Sequence, residues 1–295
     1  MTWYAALGAL EQGLVYGIMA IGVYLTFRIL DFPDLTVDGS LPLGASITAL
    51  ALTSGINPFV ALLLSIIGGF LAGMVTALLN TKLKVLHLLA SILTMIALYS
   101  INIRIMDGPN ISLLAVDTVF DPVIALGIPP HLASTVVFIA VAVIVILAVV
   151  WFLYTELGLS ILATGDNSQM ITSQGVNTHT MIILGVGLSN ALVALSGSLI
   201  AQNQGSSDVN MGVGTIIAGL ASVIVGETVL GDKTIPRAIV AVLCGSVIYR
   251  MAIALALGME WGGFSVSPSD LNLITALLVI VALTAPMVKK KLKLS

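Results

Sequence analysis

Charge is what this sequence most lacks. Of 295 residues, 8% are Asp, Glu, Lys or Arg, against about 25% in a soluble domain. A water-soluble fold would have to cover a chain that is 58% hydrophobic with almost no polar surface, so that class is excluded. The 11 basic and 14 acidic residues sum to −3, which leaves no basic field for nucleic acid. Cys244 is the single cysteine, so neither a disulfide framework nor a thiolate metal site can be built. His87, His131 and His179 are far apart and form no ligand pair at helical spacing, and no bound metal is expected. The sequence also has no Gly-x-x-x-x-Gly-Lys-Ser/Thr loop, so the chain carries no nucleotide-binding P-loop of its own.

What the chain has is long apolar runs and a mean hydropathy of +1.13. A helix needs roughly 20 apolar residues to cross a bilayer core. Runs occur at 3–27, 41–53, 58–79, 85–105, 132–154, 181–202, 216–230, 235–257 and 271–288. The predicted fold is an all-α integral membrane protein of about nine transmembrane helices, one domain over residues 1–295. The first run lacks a basic n-region and a small-residue cleavage site, so it is expected to be a permanent span rather than a signal peptide. With alternating sides, Arg28, Lys82, Lys84, Lys233, Arg237, Lys289, Lys290, Lys291 and Lys293 share one side. The positive-inside rule then predicts an outside N-terminus and a cytoplasmic C-terminus.

Two segments break the apolar pattern. The first is the cytoplasmic loop at 156–180. Asp166 or Asn167 suits a helix N-cap, Ser168 to Gln174 form a short helical stretch, and Gly175 suits the left-handed position that ends it. Met170 and Ile171 are then available to dock on a partner; the alternative is a plain capped connector. The second segment is Asp34-Leu-Thr-Val-Asp-Gly-Ser, ahead of a run of only about 13 apolar residues. Adding it restores a spanning length. The second helix is therefore expected to be interrupted, with Thr36, Asp38 and Ser40 entering the membrane zone. The alternative is an ordinary loop in which Asp31 and Asp34 lie near Arg28.

Both segments resemble those of one family. Gly158-Leu-Ser-Ile-Leu-Ala-Thr-Gly-Asp-Asn-Ser-Gln-Met, followed by Gly175-Val-Asn-Thr, resembles the coupling-helix loop of ABC importer permeases of the branched-chain amino acid and ribose type. Leu162 departs from that pattern, which often has a basic residue there. Asp34 to Ser40 resembles the family's Asp-Leu-Ser-Val-Gly-Ser run with one residue inserted, and 221–231 and 245–250 resemble its later helices. The subgroup most similar is that paired with tryptophan-binding-like lipoproteins.

The resemblance implies a transmembrane subunit in the bacterial inner membrane that imports a small solute, an aromatic or branched-chain amino acid. It implies no enzyme activity and no cofactor on this chain, with ATP-Mg held by a cytosolic ATPase partner. Further implied partners are an external substrate-binding lipoprotein, membrane lipid and a second copy of the chain. A translocation pathway along Asp34, Thr36, Asp38, Gly39 and Ser40 is implied, as is ATPase coupling through Gly165, Asp166, Asn167, Met170, Ile171 and Gly175; Asn190 of the sixth span is a further candidate for the pathway by its polarity, with interhelical hydrogen bonding as the alternative.

Charges within spans must face protein or water. Glu11 and Arg250 lie at matching depths, and a buried pair that fixes packing is expected; a substrate or proton site is the alternative. Glu227 is expected near Lys233 and Arg237. Gly69 and Gly73 belong to a small-residue face on the third span that suits close helix packing. Two other functions compete. An ion-coupled secondary transporter usually shows paired discontinuous helices, and no second broken helix is evident in the sequence. A sugar or nucleoside importer permease would share every motif above. An intramembrane enzyme would need a His, Asp or Ser constellation, and none is evident.

Overall fold

The computed structural model describes residues 3–114 and 116–257, with further positions at 260–261, 264–265, 280 and 284. The expected ninth span and the Lys289 to Lys293 cluster lie outside the described residues, those two positions apart. The helices are α1 (Trp3–Tyr24), α2 (Val37–Thr53), α3 (Pro58–Thr81), α4 (His87–Met106), α5 (Asp121–Ala125), α6 (Pro130–Leu153), α7 (Glu156–Asp166), α8 (Ser168–Ser173), α9 (Thr178–Gln204), α10 (Thr215–Leu230) and α11 (Ile235–Leu257). A π-helical turn, Leu25–Ile29, extends α1. Six of these segments are long and apolar enough to cross a membrane.

Local chemistry sets several of the boundaries. Asn57 caps α3 by accepting from the Phe59 N–H at 2.9 Å, with Pro58 at the first helical position, where its missing N–H costs nothing. Asn177 caps α9 in the same way through the His179 N–H. Gly205, at φ 68°, ends it.

Helix α9 is the axis of the molecule, buried almost continuously from Gly185 to Gln202. Helices α1, α2 and α3 pack around it, α10 and α11 pair beside α1, and α6 flanks α1. A Cβ on Gly69 or Gly73 of α3 would collide with the carbonyl oxygens of Asn190 or Val186, so the small face predicted on α3 is the surface on which α9 rests. Large apolar side chains such as Leu63, Ile67, Leu71, Ile144, Leu147 and Trp151 remain exposed on α3 and α6. In lipid, that exposure carries no hydrophobic penalty.

Two helices are short. Helix α2 has 17 residues and α10 has 16, so each is about 24–26 Å long at 1.5 Å per residue, less than the roughly 30 Å hydrocarbon core. The sequence reading expected a break inside the second span. Helix α2 instead runs unbroken through Pro42, and the non-helical backbone lies just ahead of it, at 30–36. A matching non-helical segment, 205–214, precedes α10. It is held by strands β1 (Asn110–Ser112) and β2 (Ser206–Asp208), which pair antiparallel with Ile111 opposite Ser207.

Candidate functional site

The two short helices start at the same place. Asp38, in the first turn of α2, turns its carboxylate onto the first turn of α10. Its Oδ2 accepts from the Gly214 N–H at 3.0 Å, and its Oδ1 accepts from the Ile216 N–H at 2.9 Å and the Thr215 hydroxyl at 3.0 Å. Helix α10 is thus capped by a residue 176 positions upstream, and a carboxylate is favoured at a helix N-terminus by its unsatisfied N–H groups and its dipole. Gly212 permits the approach, since a Cβ there would collide with the Asp38 carbonyl and the Pro42 ring.

Behind this junction lies a buried polar network. Asp34, Thr36, Ser40 and Asn190 are each 0% exposed. The Asn190 amide donates to Asp34 Oδ2 at 2.7 Å and to the Val186 carbonyl at 3.0 Å, and its Oδ1 accepts from the Ser40 hydroxyl at 2.7 Å. The Thr36 N–H donates to Asp34 Oδ1 at 2.9 Å, and the Thr36 and Thr76 hydroxyls bond at 2.8 Å. Irregular backbone at membrane depth is tolerated when it is enclosed in protein in this way.

All six residues assigned to a pathway from the sequence therefore gather around the start of α2, but in two layers. Asp38 and Gly39 border a cavity of about 360 Å³. The other four are packed behind it. The sequence reading missed Asn102, which donates to the Gly39 carbonyl at 3.2 Å, and gave Thr76 only a place on the small packing face of the third span. It also missed the α10 start. The Asn210-Met-Gly-Val-Gly-Thr stretch ahead of a short apolar run carried that signal, with Gly214 at φ 77°.

The second region, 156–180, holds one helix more than expected. Thr155 caps α7. Of the two cap candidates for α8, Asn167 fills the role by accepting from the Met170 N–H at 2.9 Å, and Asp166 ends α7. Gly175 has φ +90°. Met170 is 49% exposed and Ile171 is 6% exposed, so only the first of the pair presents its side chain outward. Gly165 lies against the π turn, where a Cβ would collide with the Ile29 carbonyl. A more polar cavity of about 380 Å³ opens here between Phe32, His87 and residues 164–169.

The expected Glu11–Arg250 pair is not formed. Glu11 Oε1 accepts from the Ser134 and Thr135 hydroxyls of α6, both at 2.6 Å. Arg250 lies over the Tyr16 ring, 3.7 Å from its centroid. The matching depth was sound, because Gly13 of α1 contacts Val247 of α11. Direction around the helix was not: Glu11 lies two residues before Gly13 and so is turned about 200° from it. Glu227 pairs with Arg28 at 2.9 Å instead of Lys233 or Arg237, and Arg28 also reaches Asp232 at 3.3 Å. Among the described residues, no three His, Cys, Asp or Glu side chains converge to hold a metal ion.

The family model described as branched-chain amino acid transport system / permease component matches residues 5–284. A tyrosine transport system permease protein of Clostridioides difficile is 45% identical over 279 residues, covering 94% of this chain and 90% of that protein. A ribose import permease of Bacillus subtilis is 27% identical over 230 residues, covering 76% and 68%. Among solved structures, PsaBC from Streptococcus pneumoniae in complex with Fab shares the fold at a TM-score of 0.53 and 14% identity, covering 96% of this chain and 91% of that one.

Proposed function

The chain belongs to the permease family of branched-chain amino acid transport systems, and from that premise we propose that it imports an aromatic amino acid, tyrosine foremost. As an ABC permease it is a multi-pass protein of the bacterial inner membrane, without enzymatic activity, and works with an ATPase and a substrate-binding protein. The observation that carries the cargo reading is the 45% identity to a tyrosine transport permease across 94% of the chain.

In this reading two copies of the chain form the permease, with the N-terminus outside, and the solute passes beside the junction of α2 and α10. ATP-Mg is bound and hydrolysed on the partner. The loop at 156–180 docks on that partner, with Met170 offered at its surface. Gly165 against Ile29 carries movement of the loop into the π turn. From there the chain leads through residues 30–36 to Asp34, whose bond to Asn190 ties it to α9. A π turn suits this role, because such segments are local departures from helical regularity that recur at functional sites.

The test is reconstitution of this chain with its cognate ATPase and binding protein in proteoliposomes. Tyrosine uptake should require ATP and persist when ion gradients are collapsed. Uptake driven by an ion gradient without ATP would overturn the reading, as would a complex that accepts ribose and rejects amino acids.

A further inference from the structure

Helix α10 is held at both ends by the stretch of chain that joins α1 to α2. At its start, Asp38 accepts from Gly214, Thr215 and Ile216. At its finish, Arg28 of the π turn donates from Nε to Glu227 at 2.9 Å and from Nη2 to Asp232, just past the helix, at 3.3 Å. Sixteen residues make α10 about 24 Å long. The ten residue steps from Arg28 to Asp38 can extend over about 33–36 Å, enough to reach from one end of the helix to the other. The hydroxyls of Ser222 and Thr228, further along α10, bond only within the helix. Arg28 also stands next to Ile29, the residue whose carbonyl oxygen lies against Gly165 of the 156–180 loop. One five-residue π turn therefore touches the loop through its backbone and α10 through a side chain.

We propose that Arg28 is a positioning residue for transport and the second arm of the coupling route. It carries movement of the π turn into the inner end of α10, while residues 30–36 carry it to Asp34 and α9. The proposal rests on the reading that the 156–180 loop docks on the ATPase. Because the same connection grips α10 at Asp38, the helix and the connection move as one piece. The junction beside the solute route then shifts without breaking its buried bonds. The chemistry of the tie suits a moving part. Side chains of Arg28 and Asp232 are 55% and 54% exposed, and that of Glu227 is 20% exposed. An ion pair so open to solvent adds little to stability. Nor does α10 need it as a brace, because Gly226 already brings α10 against the Ala241 carbonyl of α11. The planar guanidinium fork meets two carboxylates at once, so Arg28 can shift toward either one during movement and keep a charged partner.

The experiment uses the full complex in proteoliposomes and reads tyrosine imported per ATP hydrolysed, together with the thermal midpoint of the complex in detergent. In Arg28→Gln the midpoint should stay near wild type, while import per ATP falls by about tenfold, within the range by which residues between coupled sites modulate coupling. Arg28→Glu combined with Glu227→Arg restores an ion pair of reversed polarity and should recover most of the ratio that either single change loses. A merely structural tie would instead lower the midpoint and leave the import-to-ATP ratio of the surviving complex unchanged. If Arg28→Gln does not assemble, Glu227→Gln combined with Asp232→Asn removes the same tie from the α10 side and decides alone. A wild-type ratio in whichever assembled variant is read overturns the role of Arg28 and leaves the docking reading intact. Docking is read separately by Met170→Asp, which should weaken retention of the ATPase by the permease. Wild-type retention by that variant overturns the docking reading, and the role of Arg28 with it.

Discussion

The junction at the start of α2 and the loop at 156–180 hold themselves together in opposite ways. At the junction, the bonds that join one element to another come from residues far apart in the chain: Ser40 with Asn190, Thr36 with Thr76, the α10 start with Asp38. In the loop, the bonds run between residues a few positions apart, as from Met170 to Asn167. The junction is enclosed, whereas much of the loop, including Asn167 and Met170, is exposed. A structure built from distant pairs fails as a whole when one partner goes. A structure built from local caps fails only where it is cut, since water stands ready to replace the lost bond.

That contrast is sharpest for Asn190→Leu. The substitution removes a donor from Asp34 and the acceptor for Ser40, leaving a carboxylate with less compensation at a site closed to water. Each buried polar group left without its partner costs about 1–3 kcal/mol, and here two are, Asp34 and Ser40. The variant should show a lowered thermal midpoint in detergent and little assembled complex. A near-native midpoint would mean that the network is not what holds α2 to α9. Asp38→Ala comes next, at about 2 kcal/mol for the loss of an N-cap. Hydrogen exchange should quicken first at the amides of residues 214–218, and uniform exchange across α10 would break the assignment of Asp38 as its cap.

On the loop side the effects should be smaller and should separate stability from coupling. Gly175→Val forces a β-branched residue into a left-handed conformation at a local cost of about 1–2 kcal/mol. Membrane insertion and thermal midpoint should stay near wild type while substrate-stimulated ATP hydrolysis falls. Wild-type coupling in this variant would remove α8 from the proposed route to the ATPase. The smallest effect is expected for the pairing of Glu11→Gln with Arg250→Gln. The structure gives the two residues separate partners, so their stability losses should add to within about 0.5 kcal/mol. A strong compensating interaction in the double variant would show that they meet after all.

The same division explains what was legible in the sequence. Among the described residues, the apolar runs become helices because length and hydropathy are local properties. The α8 boundaries follow from Asn167 and Gly175, each of which acts on its immediate neighbours. Asp34 to Ser40 stood out as polar residues where spanning length was needed, so that half of the junction was visible. Its other half was not, because a glycine-rich turn before a 16-residue apolar helix reads as a normal loop until Asp38 is seen to cap it. Both short helices are continuous and each follows irregular backbone, so counting broken helices does not weigh against a secondary transporter. The family match, and not the helix pattern, separates the two. Glu11 and Arg250 show a related limit: rise per residue gives depth, but the neighbour met at that depth depends on which way the helix is turned.

The capping of α10 by Asp38 also has a consequence for synthesis. The carboxylate emerges 176 residues before the amide of Gly214 that it will meet. At roughly 5–20 residues per second, the ribosome takes about 10–35 s to supply that amide. For all of that interval, α2 is a short helix with a carboxylate in its first turn and no partner. It is poorly suited to be released into lipid alone, and so is α10 when it emerges. The nascent chain must therefore hold α2 in a protein or aqueous surrounding, at the translocation machinery or against α3 and α4, until α9 and α10 arrive. The closing of this junction is a late step in the maturation of the chain, and a ribosome-bound chain that stops before residue 214 should leave Asp38 accessible to water.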